Sequence, residues 1–123
     1  MKKNMAMKLV KALRSGEYVQ GSHGLVSDDD RFCCLGVACN LSEGDLDWVY
    51  SKEDEWWTIG GNTGALPLQI QKEYGFYDDS GSRRDNKWVV INGIEYINLS
   101  GANDEGVPFS DIADYIEKNY KEL

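Results

Sequence analysis

Three cysteines and one histidine are the residues of this chain whose side chains most readily support metal binding or nucleophilic catalysis. Cys33, Cys34 and Cys39 lie in a short apolar run, and His23 stands alone in a Gly-Ser-His-Gly turn. Structural zinc requires two cysteine pairs, or one pair with histidines, and this spacing supplies neither. We therefore expect the three sulfurs to be small buried side chains of a core helix. We predict no metal, no cofactor and no catalytic group.

Length and charge exclude several function classes. The chain has 123 residues, which suits one domain, and a formal net charge of −8, which opposes the approach of nucleic acid. An odd number of cysteines, two of them adjacent, favours a reducing compartment. Lysines interrupt the N-terminal apolar residues, and no run approaches the roughly 20 apolar residues that span a bilayer. We expect a cytoplasmic protein that interacts with neither nucleic acid nor membrane.

Apolar periodicity predicts helices, which must position any functional side chain. Met5–Arg14 has an amphipathic pattern, with Asn4 as a candidate N-cap and Gly16 just beyond its end. The acidic residues Asp28–Asp30 are expected to cap a helix over Arg31–Leu41, which contains the cysteines. Two further helices are predicted over residues 66–75 and 111–120, the last with Ser110 as its N-cap.

Short strands are predicted over residues 17–20, 24–26, 48–50 and 56–59, the first two joined by a turn. Lys87–Asn98 is the clearest hairpin, because Asn92-Gly93 is the pair that a two-residue type I′ turn prefers. Apolar residues occur on both faces of this ribbon, so we expect both faces to be covered. The chain is therefore predicted to be a single α+β domain, residues 1–123, with three to four helices packed with short antiparallel strands.

Four segments together resemble a known family. They are Arg14–Gly21, Phe32–Cys39, Leu66-Pro67 and Asn103–Ala113, and they occur in the same order in a family of small proteins found mostly in bacteriophages and prophages. The resemblance implies an accessory protein that acts inside the infected cell and is dispensable for building the virion. Such accessory proteins frequently counter host defence, and several of them sequester nucleotide immune signals such as cyclic dinucleotides or cyclic ADP-ribose isomers.

Residues that core packing does not readily explain are the candidate ligand-binding residues. Two arginines beside turns are suited to bidentate phosphate contact, three aromatic residues to stacking on a base, and polar side chains to reading ribose or base edges. These eight residues are Arg14, Tyr18, Gln20, Arg31, Trp56, Trp57, Asn103 and Asp104.

These residues leave three functions open. The first is a binding protein that sequesters a small nucleotide-like host immune signal. The second is an inhibitor or adaptor of a host protein, since tryptophans on a polar, glycine-rich segment are candidate interface anchors. The third is a hydrolase of a nucleotide signal, which would require His23 to act with a cysteine that is distant in sequence. A surplus of apolar residues on the hairpin further predicts a homodimer.

Overall fold

Two helices that are distant in the chain, Lys3–Arg14 and Phe109–Asn119, pack against each other. In the computed structural model, which describes residues 1–44, 46–61 and 63–123, the helices are α1 (Lys3–Arg14), α2 (Cys34–Asn40), α3 (Leu68–Tyr74), α4 (Leu99–Asp104) and α5 (Phe109–Asn119), followed by a 3-10 turn over Tyr120–Glu122. The buried apolar side chains of all five helices belong to one core cluster. The α+β prediction is confirmed: the described residues form five α-helices where three to four were predicted, and α4 lies where the sequence predicts an irregular turn or a short helical segment.

Five strands form a mixed sheet and two form a separate hairpin. The strands are β1 (Val19–Gln20), β2 (Val26–Ser27), β3 (Arg31–Phe32), β4 (Trp48–Ser51), β5 (Trp56–Ile59), β6 (Val89–Ile91) and β7 (Ile94–Tyr96). The sheet order is β1-β3-β2-β5-β4, so β3 lies between the two strands that the sequence joins by a turn. The β1–β3 pair is parallel, whereas the prediction was for antiparallel strands.

The cysteine-bearing helix begins later than predicted. Residues 31–32 form β3, and α2 starts at Cys34 with Cys33 as its N-cap, whose Sγ accepts a hydrogen bond from the Gly36 amide at 3.3 Å. The acidic residues 28–30 therefore form the turn between β2 and β3 and do not cap this helix. A Cβ at Gly36 would overlap the carbonyl oxygen of Leu25, so only glycine permits this close approach of helix and strand.

Two predicted caps are wrong for the same reason, since each helix begins earlier than its polar residue. Asn4 lies inside α1, whose N-cap is Lys2, and Ser110 lies inside α5, whose N-cap is Pro108. The ends marked by glycine agree better with the sequence. Gly16 follows α1 with φ of 76°, the left-handed conformation that glycine adopts at helix ends.

The hairpin has the predicted turn and an exposed apolar surface. Asn92 and Gly93 have φ of 53° and 79°, as a type I′ turn requires, and Val89 pairs with Tyr96 and Ile91 with Ile94. Val89 and Ile91 are buried. The exposed apolar residues, named here the hairpin patch, are Trp88, Val90, Ile94 and Ile97, which are 49–67% exposed. Contacts within the described chain therefore leave these four side chains uncovered.

The helices of the described residues are all too short or too polar to cross a membrane.

Candidate functional site

A cleft of about 470 Å³ lies where the sheet meets the end of α4 and the loop after β1. Five of the eight predicted binding residues line this cleft, which we name the Arg31 cleft. They are Gln20, Arg31, Trp56, Asn103 and Asp104. The structure thus brings together residues that are up to 84 positions apart (20 to 104) in the sequence.

One wall of the Arg31 cleft is a hydrogen-bonded network between two amide side chains. Asn103 is only 1% exposed, and its Oδ1 accepts hydrogen bonds from Gln20 Nε2 at 3.0 Å and from the Cys34 amide at 3.1 Å. Its Nδ2 donates to the carbonyl oxygen of Gly21 at 2.8 Å. The network joins α4 to the start of α2 and to the loop after β1, and it leaves little of Asn103 accessible to a ligand.

Gln20 extends this network to the last helix. Its Nε2 donates a second hydrogen bond to the Val107 carbonyl oxygen at 2.7 Å, and its Oε1 accepts one from the Phe109 amide at 3.1 Å. Gln20 therefore satisfies one of the amides that the first turn of α5 leaves without a helical partner. Both amide hydrogens of Gln20 are used within the protein, so this side chain shapes the cleft wall.

Asp104 holds the loop at the cleft entrance. Its Oδ1 accepts a hydrogen bond from the His23 amide at 2.8 Å, and His23 has a left-handed backbone with φ of 67°. The Asp104 side chain keeps 28% of its surface exposed. The next residue of the loop, Gly24, lies under the Trp56 indole, where a Cβ would collide with the ring. This arrangement fixes the indole against the loop backbone.

Arg31 is the cationic residue among the described side chains that line this cleft. Its Nε donates to Asp29 Oδ2 at 2.9 Å, and 55% of the side chain is exposed. The two outer guanidinium nitrogens have no hydrogen-bond partner within the described residues. Hydrogen bonds from Ser27 and then from Arg31 hold the pKa of the Asp29 carboxyl below its usual range. The guanidinium is thereby oriented while its outer nitrogens stay available to an anion.

The adjacent tryptophans point to opposite faces of the sheet. Residues alternate along a strand, and Trp56 of β5 lines the Arg31 cleft, whereas Trp57 lies in a separate pocket with Trp48. Trp57 is directly opposite Tyr50 of β4, with ring centroids 5.6 Å apart and an interplanar angle of 61°. These two predicted residues therefore cannot bind one face of the same ligand.

The other two predicted residues also lie apart from the Arg31 cleft. Arg14 joins α1 to α5, with its Nη2 2.6 Å from Asp114 Oδ1 and its Nη1 3.0 Å from Glu117 Oε2. Hydrogen bonds to Glu117 and then to Asp114 raise the pKa of Arg14. Tyr18 packs its ring edge-on against Phe32, and its hydroxyl accepts a hydrogen bond from Asn40 Nδ2 at 2.8 Å.

Sequence reasoning missed three polar residues of the cleft. Ser22, Ser27 and Asp29 also line it. The sequence analysis interpreted Ser27 and Asp29 as part of a helix cap. An aspartate two positions before an arginine can also form an ion pair with it across a tight turn. Counting Arg31, Asp29 and Asp104, the lining side chains carry one positive and two negative charges, a net charge of −1.

The cysteines are buried, as predicted, and their environment opposes thiolate chemistry. Burial raises the pKa of Cys33 to about 11 and that of Cys39 to about 12, and it raises the pKa of Cys34 as well. These thiols are therefore protonated at neutral pH, whereas the good nucleophile is the thiolate. The side chain of His23 is 74% exposed, with Nδ1 3.7 Å from Asp104 Oδ2. In the part of the chain that is described, no three His, Cys, Asp or Glu side chains converge to hold a metal ion.

Comparison with known proteins identifies a family but no activity. A family model for a domain of unknown function, DUF8296, matches residues 1–120. No curated protein and no solved structure matches the chain. Since the matched region includes every residue of the Arg31 cleft, the cleft lies within the family's domain. The chain therefore belongs to the DUF8296 family of domains of unknown function.

Proposed function

We propose that this protein binds and sequesters a small nucleotide-like ligand in the Arg31 cleft. The observation that carries the proposal is the pairing of a fixed indole, Trp56, with the free outer nitrogens of Arg31 in one cleft of about 470 Å³. An indole face stacks on any base, and a guanidinium contacts two phosphate oxygens at once. Asp104 and the serine hydroxyls are suited to bind ribose hydroxyl groups.

The charge of the cleft narrows the ligand class. One arginine faces two aspartates, so a triphosphate would bring several negative charges to a site whose net charge is already −1. A cyclic mononucleotide carries a single negative charge, and cyclic dinucleotides and cyclic ADP-ribose isomers also carry fewer negative charges than a triphosphate. We therefore favour cyclic mononucleotides, cyclic dinucleotides or cyclic ADP-ribose isomers over nucleoside triphosphates.

The biological setting is part of the same proposal. The resemblance to phage and prophage proteins supports an accessory protein that acts in the cytoplasm of an infected cell. There, such a binding protein would lower the free concentration of a host nucleotide immune signal. Tight binding in such a role needs no chemistry on the ligand, which agrees with three protonated, buried thiols.

Isothermal titration calorimetry tests the proposal with a panel of cyclic nucleotides and with ATP as the comparator. We expect a cyclic nucleotide to bind and Arg31→Ala to weaken it about tenfold to a hundredfold, because a charged hydrogen bond contributes about 1.5–3 kcal/mol. Arg14→Ala is the matched control and should leave affinity unchanged, since Arg14 is ion-paired at the α1–α5 contact. No heat from any nucleotide, or equal binding by Arg31→Ala, would contradict the proposal.

A second candidate function, an inhibitor or adaptor of a host protein, is favoured by the hairpin patch. Four large apolar side chains exposed on one short hairpin are the kind of surface that protein interfaces cover. A homodimer formed through this patch would also cover these side chains. Light scattering distinguishes these cases: a dimer that becomes monomeric in Trp88→Ser/Ile97→Ser supports self-association. A wild-type monomer at micromolar concentration would remove the homodimer.

A further inference from the structure

A second pocket, of about 240 Å³, lies on the Trp57 face of the sheet, away from the Arg31 cleft. We name it the aromatic pocket. Its lining residues are Val26, Asp30, Phe32, Asn40, Trp48 and Trp57. Three of these six residues are aromatic, and the sheet register places them together because Val26 pairs with both Phe32 and Trp57.

Two of the three rings of the aromatic pocket, those of Trp57 and Phe32, contact other aromatic residues. Tyr50 supports Trp57 at a centroid distance of 5.6 Å, and Tyr18 supports Phe32 at 5.0 Å with an interplanar angle of 80°. The hydrogen bond from Asn40 to the Tyr18 hydroxyl fixes the second pair at the pocket edge. Side chains that are already positioned lose less conformational entropy when a ligand binds.

Asp30 is the charged group among the described residues that line the aromatic pocket. Its carboxylate makes no hydrogen bond or ion pair with any described residue, and the neighbouring Arg31 binds Asp29 at 2.9 Å. The electrostatic environment nearby is also negative. Burial, and then the charges of Asp28 and Glu55, raise the pKa of Tyr50. An anionic ligand such as a nucleotide phosphate would be repelled here.

We propose that the aromatic pocket binds an organic cation whose ammonium group carries methyl or other alkyl substituents. Indole and phenyl faces attract a cation through their quadrupole, and the free carboxylate of Asp30 adds a direct charge interaction. Alkyl substitution is favoured because ring faces cannot replace the hydrogen bonds that a bare ammonium makes with water. The volume is below the roughly 300–1,000 Å³ of pockets for whole drug-sized ligands, so it suits a head group.

The indole signals of the four tryptophans in a two-dimensional NMR spectrum test this site, with tetramethylammonium as the probe. We expect the signals of Trp48 and Trp57 to shift while that of Trp88 does not. Neopentyl alcohol, of similar shape but uncharged, should bind at least about tenfold more weakly. Equal binding of the two probes, or no shift of Trp48 and Trp57 with tetramethylammonium, would overturn the cation site.

Substitutions then assign the interaction to its residues. Trp57→Leu should weaken tetramethylammonium binding about 2- to 30-fold, and Asp30→Asn about 2- to 5-fold. Trp57→Phe keeps an aromatic face and should retain binding, so it replaces the leucine variant if that variant fails to fold. Trp88→Leu is the matched control on the hairpin patch. Unchanged binding in both Trp57→Leu and Asp30→Asn would contradict the assignment.

Two further titrations distinguish a free small molecule from a modified protein side chain as the source of the cation. Choline represents a free quaternary ammonium compound, and a peptide with trimethyl-lysine represents a modified protein. Comparable affinity for both supports a free small molecule as the occupant, and a much tighter peptide complex supports a protein side chain. If choline, the peptide and tetramethylammonium all fail to bind, the cation site is refuted. The nucleotide proposal would not be affected, because the Arg31 cleft lies on the other face of β5.

Discussion

Replacing Asn103 by alanine is expected to be severely destabilising, because one amide satisfies three groups in two distant segments, residues 20–21 and the start of α2. The variant would remove the hydrogen bonds to the Cys34 amide at 3.1 Å, to Gln20 Nε2 at 3.0 Å and to the Gly21 carbonyl at 2.8 Å. The Cys34 amide is buried, and leaving such a group without a partner costs about 1–3 kcal/mol.

The total loss of stability follows from how deeply each of the three hydrogen bonds is buried. The hydrogen bonds to Gln20 and Gly21 are only partly buried, and each contributes about 0.5–1.5 kcal/mol. We therefore expect Asn103→Ala to lower the free energy of unfolding by about 4 kcal/mol, a large fraction of the about 5–15 kcal/mol of a typical domain. Urea denaturation followed by circular dichroism measures this difference, provided that the m-value stays constant.

Two comparisons make the result decisive. Asn4→Ala changes an exposed asparagine of α1 and should alter the free energy of unfolding by no more than about 0.5 kcal/mol. The double variant Gln20→Ala/Asn103→Ala should cost less than the sum of its single variants by about 0.5–3 kcal/mol, because the two side chains share one network. A loss below about 1 kcal/mol for Asn103→Ala, or strict additivity with Gln20→Ala, would refute the reasoning.

Three further predictions concern the core and the surface. Gly36→Ala should destabilise by about 1–3 kcal/mol in urea, since its Cβ would overlap a backbone oxygen, whereas Gly64→Ala, with open space around it, should be nearly neutral. The thiols, with the pKa of Cys33 raised to about 11, should resist Ellman's reagent at pH 8 and react only after denaturation; rapid reaction of the native protein would contradict their burial. Hydrogen bonds from Arg83 lower the pKa of Asp85 to about 2 in the folded protein, so on acidification the carboxyl of the unfolded chain is protonated before that of the folded protein. The Arg83–Asp85 pair therefore contributes to the free energy of unfolding above about pH 4, and this contribution is lost as the pH falls toward 2. Asp85→Asn should lack this pH dependence when stability is measured across an acid titration.

Local signals explain which parts of the fold could be predicted from the sequence. The Asn92-Gly93 turn requires positive φ at both positions, so two residues predict the hairpin and its register without any tertiary information. Gly16 indicates the end of α1 for a similar reason. The start of α2 could not be read locally, because β3 has only two residues and is held by partners on β1 and β2.

The candidate site was predictable by residue type but not by arrangement. Arg31 and Arg14 look alike in sequence, since each is an arginine beside a turn. Their tertiary surroundings differ: α5 places Asp114 and Glu117 against Arg14, whereas the Arg31 guanidinium binds, among the described residues, Asp29 through Nε. Asn103 resembled a ligand contact because a buried asparagine and an exposed one have the same local sequence signature.

The most direct test of nucleotide binding in the Arg31 cleft is the response of the Trp56 indole signal to a cyclic nucleotide. The signal is assigned with Trp56→Phe, and the ligand is titrated into wild type and Arg31→Ala. We predict that the Trp56 signal shifts saturably in wild type, that Trp57 and Trp88 are unaffected, and that Arg31→Ala requires about tenfold or more ligand for the same shift. A Trp56 signal that no cyclic nucleotide moves at millimolar concentration would contradict the binding function.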